Sequence, residues 1–86
     1  MDLNETMIAN IDAVTTSADD MFELGMKYCL GRGVAQSNIA AHKWFNIAAM
    51  KGNAAAKFYR CDLSHEMSAV EIAEAQRQAR ALLTLH

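Results

Sequence analysis

From Ser17 onward the apolar positions recur at intervals of three and four residues, with short polar or glycine-bearing breaks between the runs. That spacing predicts amphipathic helices. In the first run Ala18, Met21, Phe22, Leu24, Gly25, Tyr28 and Cys29 share one broad arc, and Asp19, Glu23, Met26, Lys27 and Leu30 fall on the other side. The Ser17 hydroxyl is placed to accept the amide of Asp20, and Asp19 and Asp20 suit the positive end of a helix. Gly25 in mid-helix costs about 1 kcal/mol relative to alanine, so its expected use is close approach by a neighbouring helix. Gly31-Arg32-Gly33 ends the run, because glycine enters the left-handed conformation of a tight turn without strain.

Ser37 is the next N-cap, and the pattern predicts a second helix from Asn38 to Lys51. Ala41, Trp44, Phe45, Ala48 and Ala49 share its inner face, small residues beside large ones, which suits tight helix packing around the indole. Lys51 and then Gly52 form a C-terminal signal. A stripe of Ile39, Lys43, Ile47 and Met50 lies on the other side, suited to contact with an N-terminal helix or a second subunit.

Asn53 begins a partial second copy. Ala54, Ala56, Phe58 and Cys61 stand 36 positions after Ala18, Asp20, Phe22 and Gly25 (58 − 22). A fixed offset of that size marks stacked helix pairs. The copy then degenerates, with Arg60 in place of Leu24 and Ser64 in place of Tyr28. Ser68 and Glu71 form a capping box that opens a closing helix to about Leu85. Its apolar positions are Val70, Ile72, Ala73, Ala75, Ala79, Leu82 and Leu83, and the rest is polar, as a terminal cap requires. At the other end Met7, Ile8, Ile11 and Val14 follow helical spacing, which gives residues 1–16 as an N-terminal helix or flexible segment. Residues 17–52 form a full repeat, and residues 53–86 a degenerate second one with its capping helix. The fold class expected is all-α, with about five helices.

Composition narrows the function. A chain of 86 residues makes one small domain. It has no proline and six methionines, which suits helices throughout. The net charge of −2, with both signs interspersed, provides no basic stripe, so nucleic acid is not an expected partner. The apolar runs are too interrupted for a membrane span. Asp2, Asn4 and Glu5 occupy the N-terminus where a basic, apolar leader would stand, so the expected compartment is the cytoplasm, with both cysteines reduced.

Chemistry is sparse. Cys29, Cys61, His42, His65 and His86 are the soft ligands, and none forms a C-x-x-C or H-x-x-x-H pair. No metal and no cofactor is expected. Cys29 and His65 occupy equivalent positions (65 − 29 = 36), so stacking could bring them together. Cys29 lies on the core arc, however, where a catalytic thiol lacks the electropositive, exposed setting it needs. No nucleophile, base and orienting group can be named together, so the chain is not expected to be an enzyme.

The combined pattern resembles the Sel-one-like repeat, a relative of the tetratricopeptide repeat. The residues that carry the resemblance are Ala18, Phe22, Leu24-Gly25, Tyr28, Gly31-x-Gly33-Val34 and Gln36, then Ala41, Trp44-Phe45, Ala48-Ala49 and Gly52-Asn53-Ala54. They span one whole repeat, about Ala18 to Asn53, and the first helix of another. Ala35 stands where the family often has proline, and His42 where it has a small or apolar residue. The closing segment from Met67 to Gln76 resembles, more loosely, the last helix of some bacterial members. The resemblance implies a right-handed α/α superhelix, a tetratricopeptide-like stack of helix pairs. It also implies an adaptor role in protein complexes, often in bacterial signalling or host interaction. In such stacks the first helices of the pairs line the concave side. Glu23, Met26 and Lys27, with their counterparts Tyr59, Asp62 and Leu63, would then form a mixed groove for a peptide or helix. The expected function is a non-enzymatic protein–protein interaction module. The alternatives are a self-assembling structural protein that dimerises through its second helix, and a small cysteine–histidine enzyme or metal protein.

Overall fold

The computed structural model describes residues 16–84, and the N-terminal helix expected around Met7, Ile8, Ile11 and Val14 lies outside them. The described residues form four α-helices and no strand: α1 (Ala18–Leu30), α2 (Asn38–Met50), α3 (Ala54–Ser64) and α4 (Ala69–Thr84). The fold is all-α. None of the four helices is long and apolar enough to cross a membrane.

Each helix starts where a short polar side chain can receive its unpaired amides. Ser17 Oγ accepts the Asp20 amide at 3.0 Å, Ser37 Oγ that of Ala40 at 3.1 Å, and Asn53 Oδ1 that of Ala56 at 2.8 Å. At α4 the capping box closes both ways, with the Glu71 amide on Ser68 Oγ at 3.1 Å and the Ser68 amide on Glu71 Oε1 at 2.9 Å. Each such cap is worth about 1 kcal/mol. Gly31 stops α1 at φ 71°, and the turn beyond it is tied back by the Ser37 amide on the Tyr28 carbonyl at 3.0 Å. Any residue with a side chain would be strained there.

Helix α2 is the hub, and α1, α3 and α4 each pack closely against it. Phe45, Ala41, Ile47 and Ala48 on α2 have no exposed surface, and Trp44 and His42 are each only 2% exposed. The closest approach is between α1 and α2, where a Cβ added to Gly25 would lie 2.5 Å from two carbons of the Phe45 ring. Gly25 thus has the use its position suggested, although Phe45 rather than the neighbouring indole fills the space. The far side of α3 is treated differently. Phe58, which stands 36 positions after Phe22, is 70% exposed. Phe22 is half-buried because Phe45 and Tyr59 cover it, with ring centroids at 5.7 and 5.5 Å. Phe58 would need a helix beyond α3 to do the same, and α4 packs on α2 instead.

Candidate partner-binding face

Helices α1 and α3 run in the same direction, as two side-chain contacts and then one electrostatic influence along their length show. At their starts Asn53 Nδ2 donates to Asp19 Oδ1 at 3.0 Å. Midway the Phe22 and Tyr59 rings meet edge to face. At their ends Asp62 and Glu66 are close enough to Cys29 to act on its thiol. One side chain, Asn53, therefore caps α3 and fixes it to α1.

The six residues expected to form a groove are not all surface residues. Glu23 and Asp62 are exposed, Lys27 is half-buried, and Met26 is half-buried against the core. Tyr59 is 38% exposed, and its ring is stacked on Phe45 at 5.7 Å and edge-on to Phe58 at 6.0 Å. Leu63 is a correction: at 6% exposure it belongs to the core. The buried residues of α3 are Ala56 and Leu63, followed by Met67 in the turn beyond it, so Leu63 points inward where its counterpart Lys27 does not. The remaining face is a rigid aromatic edge flanked by Glu23, Lys27 and Asp62. The stripe of α2 offered as a dimer surface is also mostly consumed. Ile47 is fully buried, Ile39 and Lys43 are half-buried, and only Met50, at 65%, stands free.

The reactive groups are arranged for structure. Burial, then Glu66 and Asp62, push the Cys29 thiol above its ordinary pKa, which keeps it protonated and weakly nucleophilic at neutral pH. Cys61 is exposed on α3. Among the described residues no three His, Cys, Asp or Glu side chains converge as metal ligands. His42 is a polar residue in the core that composition alone did not place there. Its Nε2 lies 3.0 Å from Ser64 Oγ, which itself donates to the Arg60 carbonyl at 2.8 Å. Ser64 must then accept, so Nε2 carries a proton. Burial, and then the Arg60 charge, lower the His42 pKa. Arg60 also donates through Nη1 to Asn46 Oδ1 at 2.7 Å, a second polar tie between α2 and α3. His42, Asn46, Arg60 and Ser64 thus form a polar seam between the hub and α3. Periodicity could not find it, since the seam pairs residues on different helices.

Among the described residues, three helices pack on a central one in an all-α arrangement. Comparison with known protein families, with characterised proteins and with solved structures finds no match.

Proposed function

We propose that this chain is a non-enzymatic protein–protein interaction module, a small adaptor or regulatory subunit of the Sel-one-like type. It binds a peptide or helix on the face where α1 and α3 run in the same direction. The observation that carries the reading is the alignment of α1 with α3 through Asp19–Asn53 and Phe22–Tyr59, the relation expected of first helices in a stacked, right-handed helix-pair superhelix. Glu23, Lys27, Tyr59 and Asp62 are the contact residues, and Met26 and Leu63 support them from below. A preformed face of this kind binds with little backbone rearrangement, and its one aromatic anchor between opposite charges suits a short amphipathic segment.

The test is selection of displayed peptides on the immobilised chain, followed by chemical-shift mapping. The reading expects enriched peptides whose binding shifts Glu23, Lys27, Tyr59 and Asp62 amides and weakens in Tyr59→Ala. Shifts confined to α4, or no enrichment, would overturn it.

A further inference from the structure

Ala54, Phe58 and Cys61 on α3, with His65 at its C-cap, form a stripe with the spacing i, i+4, i+7, i+11, and all four are exposed. Their counterparts 36 residues earlier (54 − 18), Ala18, Phe22, Gly25 and Cys29, are all buried or half-buried. The difference is that α2 lies against that stripe of α1, with the Phe45 ring on Gly25. On α3 the same stripe receives no helix among the described residues, where α4 packs on α2. A face that accepts a helix in the first copy is therefore open in the second.

The flanks of the stripe select what can cover it. Lys57 borders it on one side and Asp62 on the other, five residues apart, and both are exposed. Along a seam of two parallel helices, a flanking residue meets the partner's residue five positions further on the opposite flank. With Phe58 and His65 in one core register and Ala54 and Cys61 in the other, Lys57 and Asp62 hold those two flanking positions. An antiparallel pair would instead bring the two Lys57 flanks together, and likewise the two Asp62 flanks.

We infer that α3 is a self-association face: two copies of this chain pair through Ala54, Phe58, Cys61 and His65 with their α3 helices parallel, Lys57 of each meeting Asp62 of the other. A helix of 11 residues buries less than the roughly 1,200 Å² of a standard interface, so the dimer is weak and concentration-dependent. The inference does not depend on peptide binding between α1 and α3. A chain that stays monomeric leaves that function intact, and a chain that dimerises without binding peptides leaves this inference intact.

The test uses the whole chain in two measurements. Light scattering after size exclusion, from low micromolar to near-millimolar protein, is expected to show mass rising from monomer toward dimer, and Phe58→Glu to abolish the rise. Lys57→Glu is expected to weaken the dimer by up to about fivefold per pair, and Lys57→Glu with Asp62→Lys to restore it. In a Cys29→Ser background, copper–phenanthroline with oxygen takes two electrons from two Cys61 thiols, which release two protons and form one disulfide. The parallel pairing places these thiols opposite each other, so cross-linking is expected in Cys29→Ser and not with Phe58→Glu added. A monomer at every concentration, a dimer that survives Phe58→Glu, or a double charge exchange that fails to restore association would each overturn the inference.

Discussion

Helices α1 and α3 begin alike and end differently. Ser17 and Asn53, separated by 36 residues (53 − 17), cap them in the same way, and the two helices run in parallel. Yet α1 turns Met21 and Gly25 fully inward, whereas α3 buries Ala56 and Leu63, and its Phe58 and Cys61 stand exposed where Phe22 and Gly25 are covered. The cap is a local feature, set by one side chain and the amide three residues on. The buried face is set by the neighbours: α1 has α2 lying across it, while α3 lies on α2 and, among the described residues, no helix packs closely beyond it. A repeat offset thus copies where helices start more faithfully than which way they face.

The largest effect should come from the hub. Phe45→Ala removes a fully buried ring that touches α1 and α3, and is expected to cost about 3–5 kcal/mol in urea unfolding, enough to unfold a domain of this size. Phe58→Ala, on the open face, is expected to stay within about 0.5 kcal/mol of the parent. Comparable losses in the two variants would erase the distinction between the helices.

Gly25→Ala sharpens the same contrast. The new methyl overlaps the Phe45 ring, so overpacking of about 1–3 kcal/mol opposes a helix-propensity gain of about 1 kcal/mol, and the net result runs from near neutral to about 2 kcal/mol destabilising. At the matching position Cys61→Ala adds no clash and is expected to be near neutral, again by urea titration.

The polar seam predicts a pH effect. The His42 pKa is lowered in the folded chain, so below about 6.5 the unfolded chain takes up a proton that the folded one resists. The His42 contribution is complete above that pH and is lost as the pH falls from it toward the lower folded value. His42→Leu should flatten this acid limb in melting temperatures measured from pH 7 to 5. An unchanged limb would remove His42 as its source.

The smallest effect lies on α4. Arg77 holds Glu74 through two bonds of 2.6 and 2.8 Å and keeps its carboxyl near a pKa of about 2. Both side chains are solvated, so Arg77→Ala should raise that value toward the ordinary carboxylate range in an NMR titration without moving the melting temperature.

Much of this architecture was legible in the chain. Ser17, Ser37 and the Ser68–Glu71 box gave helix starts, because capping depends on residues three apart, and the repeat offset placed the start near Asn53. Gly25 was legible as a close approach, since its helical cost needs a reason. Phe58 and Leu63 were not, because their burial depends on how α3 sits on α2 and on where α4 packs, which no local pattern encodes. The same holds for Ile47, which a single-helix stripe left at the surface and the hub position buries. For the proposed binding face, the charged rim of Glu23, Lys27 and Asp62 could be read from the helical wheel. Tyr59 entered that face as the repeat counterpart of Glu23, but its ring contacts with Phe22 and Phe45 come from two other helices and no single-helix pattern encodes them.

The most direct test of the closed first helix and open third is thiol labelling of the native chain at low micromolar concentration, read by peptide mass mapping. Cys29 is half-buried with its thiol held protonated by burial, Glu66 and Asp62, while Cys61 is exposed. The account expects iodoacetamide to label Cys61 well before Cys29, the gap closing in urea. Equal rates in the native chain, or Cys29 reacting first, would contradict it.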